Sequence, residues 1–131
     1  MPQRGDVLDF HYLWHREAGG GEESGRKARP TCLLITVGAN PTRLYLYPIT
    51  SQQPPTDRAA LAIPEIERRR GGLSGPCWIV VDEFNLTTSD ALYDFESLEP
   101  RGSFSSAFVR TVAEKALARI EKGLTKIVRR T

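Results

Sequence analysis

The chain has 131 residues, a hydrophobic fraction of 40%, a charged fraction of 26% and a formal net charge of +2. That length suits one core, so residues 1–131 read as a single domain, and the composition excludes a disordered or low-complexity polymer. No apolar run approaches the roughly 20 residues that span a bilayer, and the polar residues 1–6 hold no export segment, so a cytoplasmic protein without a membrane partner is expected.

In chain order, residues 7–12 (VLDFHY) alternate and end in aromatics, which predicts a strand. Residues 16–29 are rich in Gly, Glu and Arg and predict a long loop. After Pro30, the apolar run 31–37 predicts a strand buried on both faces. A turn at residues 39–42 leads to a strand over 43–49, with Leu44 and Leu46 on one face and Tyr45, Tyr47 and Ile49 on the other. Residues 50–57 form a polar, proline-containing loop, and residues 60–66 predict a short strand at an edge because of Pro64. Residues 68–76 read as a basic, glycine-rich turn and residues 77–83 as another buried strand, followed by a polar link at 90–96. From Phe104, apolar residues at Phe108, Val112, Leu117, Ile120, Leu124 and Ile127 follow a helical period, with Ser103, Ser105 or Ser106 as the cap and Gly123 tolerated inside. Short strands followed by one terminal helix, without βαβ alternation, predict a mainly antiparallel small barrel or α+β fold.

Cys32 and Cys77 each lie in an apolar run and read as core thiols rather than a disulfide or zinc site. HExxH, P-loop, GxSxG and GxGxxG patterns are absent, so no metal or cofactor is expected. The two histidines are His11, read as a structural residue of the first strand, and His15, which opens the loop beside Trp14 and Arg16. An aromatic next to a cation suits a single-stranded RNA contact, and equally suits packing of the loop against the core. Basic residues cluster at 26–29, at 68–70 and toward residue 130. Such runs are usually solvated faces, and only the cluster before Pro30 carries a functional reading.

That reading comes from three strand ends. Arg29-Pro30 precedes the strand at 31–37, the next strand ends in Pro48-Ile49-Thr50-Ser51, and the strand at 77–83 ends in Asp82-Glu83. If these strands are neighbours, a guanidinium, a hydroxyl and a carboxylate meet at one surface. Arginine binds a phosphodiester through its planar fork and stays charged, and a threonine hydroxyl can orient a phosphate oxygen. Taken singly, Arg29 is a solvent-facing arginine and Thr50 a turn residue; taken together they suit cleavage of RNA by its own 2′-hydroxyl.

The ordered set of Arg4-Gly5-Asp6-Val7, a loop ending Gly25-Arg26-Lys27-Ala28-Arg29-Pro30 and then Pro48-Ile49-Thr50-Ser51-Gln52 resembles the MazF/PemK toxin family over most of residues 4–83 and, more loosely, the final helix. The resemblance implies an SH3-like small barrel of antiparallel strands with a C-terminal α-helix, the CcdB/MazF-like fold, usually as a homodimer. It implies the toxin of a type II toxin–antitoxin system, a metal-independent endoribonuclease that cuts single-stranded mRNA to 2′,3′-cyclic phosphate and 5′-hydroxyl ends and is neutralised by an antitoxin. Carried over residue by residue, Arg29 resembles the catalytic arginine, Thr50 the threonine that holds the scissile phosphate and Asp82 an acidic residue implicated in cleavage. Trp14, His15, Arg26, Lys27, Ser51 and Gln52 are then RNA-binding candidates. The chain departs from the family pattern in its longer loop, in Glu22-Glu23-Ser24 where Glu-Gln is typical, and in Val80 where a basic residue is common. Two other classes of function compete with this one. The same barrel serves non-enzymatic toxins that bind a protein such as DNA gyrase, and a degenerate member would only bind RNA or a partner.

Overall fold

The computed structural model describes residues 1–19 and 27–130. Its elements are β1 (Asp6–Phe10), α1 (His15–Gly19), β2 (Arg29–Val37), β3 (Arg43–Thr50), β4 (Ala60–Ala62), α2 (Glu65–Arg70), β5 (Trp78–Val80), β6 (Glu83–Thr88), β7 (Gly102–Ser103), α3 (Ser106–Glu121) and β8 (Lys126–Arg129). The fold is mainly β. A ladder runs β4-β5-β3-β2-β1-β7, and β6 joins it by pairing with β3 on one side and β8 on the other. Every pairing is antiparallel except β6 with β8, which is parallel.

Strand β3 organises the sheet. One of its edges pairs with β2. Its other edge is shared, with Arg43–Leu46 against β6 and Ile49–Thr50 against β5. The strand expected at 77–83 is therefore two strands with a corner at Val81 and Asp82, and pairing resumes at Glu83. At the corner Asp82 leaves the ladder and meets the Arg58 guanidinium and the Ala59 N–H.

Both faces of the sheet are covered, so alternate residues feed two cores. Val7, Cys32, Leu34, Tyr47, Ile49 and Ile79 point to one, which α3 closes with Val109, Val112, Ala113 and Ala116. Leu8, Phe10, Leu33, Leu44, Leu46 and Val80 point to the other, closed by Tyr12, Trp14 and Phe95. The expected split of β3 is observed, as is the burial of both cysteines as free thiols. Full burial of a large apolar side chain contributes about 1.5–3 kcal/mol, so these two layers dominate stability.

Three expectations are corrected. The loop expected from residue 16 begins as α1, where Glu17 Oε1 accepts the Trp14 N–H at 3.1 Å in the manner of a capping box. Residues 65–70, expected as strand and turn, are helix α2, with Glu65 and Glu67 in its first turn and three arginines in its last, the order that suits the helix dipole. The terminal helix ends at Glu121 rather than running through Leu124 and Ile127, which lie in the turn and on β8. Its buried stripe is 109, 112, 113 and 116, while Leu117 faces solvent. Ser105 is the N-cap: its Oγ accepts the Phe108 N–H at 3.2 Å while Glu67 accepts both the Ser105 hydroxyl and N–H.

The stop after α3 is Gly123, at φ +70° with open space where a Cβ would stand. Only backbone strain then opposes a side chain there. Gly123→Ala should cost about 1 kcal/mol of unfolding free energy in urea titration, without loss of the folded baseline.

Candidate functional site

The antiparallel register determines which residues meet at the end of the sheet. β2 starts where β3 finishes: Thr31 stands opposite Pro48, so continuing the register brings Arg29 beside Thr50. On the other edge of β3, Thr50 stands opposite Trp78, the first residue of β5. Arg29 and Thr50 are thus brought together as expected. Asp82 is not, because β5 runs away from Thr50 and Asp82 lies past its far end.

A groove of about 610 Å³ crosses this end of the sheet, and Arg29, Pro30, Thr50 and Ser51 are among its lining residues. Trp14 and Val80, from one core, line it together with Ile49 and Cys77 from the other, so it wraps over the strand ends from face to face. Its lining holds five cations, Arg16, Lys27, Arg29, Arg58 and Arg101, and among the described residues no carboxylate. Arg58 and Arg101 are paired with Asp82, Glu83 and Asp9 outside the lining, so the groove's positive charge falls mainly to Arg16, Lys27 and Arg29.

Each expected RNA-binding residue has a definite place. Lys27, Ser51 and Gln52 line the groove and are exposed. Trp14 lines it too, but its ring is only 7% accessible, set edge-on against Tyr12 with the Arg16 guanidinium 5.4 Å from its centroid. Its main role is packing in the second core. His15 is exposed but does not line the groove; its backbone N–H donates to Glu83 Oε2 at 3.0 Å. Arg26 lies outside the described residues. The Thr50 hydroxyl organises the turn after β3, accepting the Gln52 N–H at 3.1 Å and donating to the Gln52 carbonyl at 3.4 Å.

Arg58 and Arg101 are groove residues that the sequence reading missed. Arg101 follows the polar link and is held by Asp9 Oδ1 at 2.8 Å. Arg58 lies in the segment before β4, and its Nε and Nη2 donate to Asp82 at 2.7–3.1 Å while Nη2 also reaches Glu83 Oε1 at 2.8 Å. Asp82 further accepts the Ala59 N–H at 3.0 Å, and Glu83 accepts the Tyr12 hydroxyl at 2.9 Å. The ion pair is spread over residues 24 apart in sequence, so no local motif announces it.

These contacts set the protonation states. Burial pushes the Asp82 carboxyl up, but the Arg58 hydrogen bonds and charge and the Ala59 N–H outweigh it and hold Asp82 below the usual range. Arg58 is correspondingly raised by its hydrogen bonds to Asp82, against burial. Burial raises the Cys77 thiol and drives the Cys32 thiol to about 12, so neither is a ready nucleophile. A carboxylate held low, with its oxygens occupied, is a poor general base, which argues against direct proton transfer by Asp82.

The chain matches no protein-family model and no curated protein.

The lowered Asp82 carboxyl has a stability consequence of definite sign. Between its folded and ordinary values, the unfolded chain binds more protons, so this stabilisation is complete above about pH 4 and is lost as pH falls through the folded value. Asp82→Asn leaves Arg58 paired with Glu83 alone, so it should cost about 1.5–2 kcal/mol in denaturant titration at pH 7, the scale of hydrogen bonds to a charged group. The gap between variant and wild type should close as pH is lowered below 4 in the same titration.

Proposed function

We propose that this chain is an SH3-like barrel toxin of the MazF/PemK type, a metal-independent endoribonuclease acting on single-stranded mRNA. The observation that carries the reading is the meeting of Arg29 and Thr50 at adjoining strand ends, where both line a groove that also holds Arg16 and Lys27. A sheet whose central strand is shared between β5 and β6 is in keeping with a small barrel.

In this reading the groove receives the RNA backbone as a polyanion, and the scissile phosphate sits between Arg29 and Thr50. The 2′-hydroxyl oxygen attacks phosphorus, its proton leaves, and the bond to the 5′ oxygen breaks as that oxygen takes up a proton. The products are a 2′,3′-cyclic phosphate and a 5′-hydroxyl. Arg29 supplies a permanently charged fork to the pentavalent phosphate, and cationic side chains provide the charge stabilisation that other nucleases draw from a metal. The Thr50 hydroxyl accepts from Gln52 through a bond that its donation does not disturb, so its long donation to the Gln52 carbonyl is the one that a phosphate oxygen replaces. Lys27, Ser51 and Gln52 hold the flanking nucleotides, with Arg16 beside the Trp14 ring. The same positive groove suits the acidic segment of a cognate antitoxin, which would block it by competition. The reading carries with it a homodimer working in the cytoplasm.

With EDTA present, purified protein should cut a long single-stranded RNA into discrete fragments bearing 5′-hydroxyl ends. Arg29→Ala should lower the rate by about 10²-fold or more while circular dichroism stays unchanged. Intact RNA after incubation with folded wild-type protein would sink the reading.

A further inference from the structure

We infer that Asp82 and Glu83 are positioning residues that hold Arg58 as a second phosphate fork in the groove, a role that rests on the ribonuclease reading above. Guanidinium has five N–H donors in a fixed plane. The Nε donor and both on Nη2 are committed to Asp82 and Glu83, whereas Nη1 has no partner among the described residues. Arg58 lines the groove and neither carboxylate does, so the acids grip the guanidinium from behind and the Nη1 edge is the part left for a ligand.

The carboxylates are themselves fixed. Glu83 is anchored by the Tyr12 hydroxyl and the His15 N–H, and Asp82 by the Ala59 N–H. A flexible side chain ordinarily loses rotamer freedom on binding. Here that loss is already met by folding, so the fork meets phosphate oxygens in one orientation. Two carboxylates more than offset the charge of Arg58, so its contribution is directed hydrogen bonding, and net attraction falls mainly to Arg16, Lys27 and Arg29. An ammonium in its place would supply charge without a fork that can bind two acids and a phosphate at once.

The test compares wild type with Arg58→Lys, Asp82→Asn and the double variant. Three readouts are taken: single-turnover cleavage of an RNA oligonucleotide, its pH–rate profile, and affinity for the DNA oligonucleotide of the same sequence, which lacks the attacking hydroxyl. Arg58→Lys should slow cleavage about 10²-fold and weaken DNA binding, and Asp82→Asn should slow cleavage about tenfold. The double variant should be no slower than Arg58→Lys, and Asp82→Asn should keep the wild-type profile shape, since Asp82 acts only through Arg58. Multiplying losses in the double variant, a lost ionisation limb in Asp82→Asn, or a wild-type rate for Arg58→Lys would each overturn the inference. If Asp82→Asn does not fold, Arg58→Lys, which keeps a cation beside both acids, decides by its rate and DNA affinity. A wild-type protein that binds the DNA but cuts no RNA removes the ribonuclease reading alone, and weaker binding by Arg58→Lys then still supports the fork. Wild-type protein that neither binds nor cuts removes both.

Discussion

Two adjacent carboxylates, Asp82 and Glu83, are buried at a corner of the sheet, and much of the molecule is arranged to keep them satisfied. Burying an ionised carboxylate without partners costs several kcal/mol, so the corner is stable only with a cation and a full set of donors around it. Arg58 comes from the segment before β4, the Ala59 N–H from beside it, and the Tyr12 hydroxyl and His15 N–H from the N-terminal segment. One electrostatic requirement thus ties together the start of β4, the approach to α1 and the junction of β5 with β6. It also allows β3 to serve two partners along one edge, because the corner is where the neighbouring strand changes course.

The groove is the outward side of the same arrangement. Strands β2, β3 and β5 come to a common end, and antiparallel register sets which side chains stand there. Arg29 and Thr50 are neighbours because β2 enters where β3 leaves. Arg58 joins the groove because the acids hold it from within, and Arg101 because Asp9 on β1 draws it in. The cations thus come from separate segments of chain, while the carboxylates that hold Arg58 and Arg101 lie outside the groove lining.

What could be read from sequence divides along physical lines. The period-two pattern of β3 reports local burial and its faces are observed as expected, whereas the apolar run of β2 is buried on both faces only from Thr31 to Leu34, with Thr36 and Val37 exposed. Arg29 and Thr50 were legible because each sits next to a strand boundary that Pro30 and Pro48 help to mark. Asp82 was misplaced because an apolar run ending in acids looks like one strand, and the bend depends on an arginine distant in sequence. Helix α2 left a usable signal in its acidic start and basic finish, but Pro64 was taken for an edge strand rather than for the residue preceding a helix. The end of α3 was overrun because Leu124 and Ile127 continue the helical count, and only the left-handed turn at Gly123 separates the helix from β8.

Strand β8 and Arg130 give the fold a particular order of assembly. β8 pairs with β6, while Arg130 donates to the His11 carbonyl across 119 residues and to Asp94. The N-terminal strand likewise takes β7 as its second neighbour. Contacts of such long sequence separation form only after large loops have closed, which makes folding slow relative to a helical protein of the same size. During synthesis, the His11 carbonyl and the Asp94 carboxylate wait for Arg130, so the segment after β1 gains this anchor only once β8 has emerged.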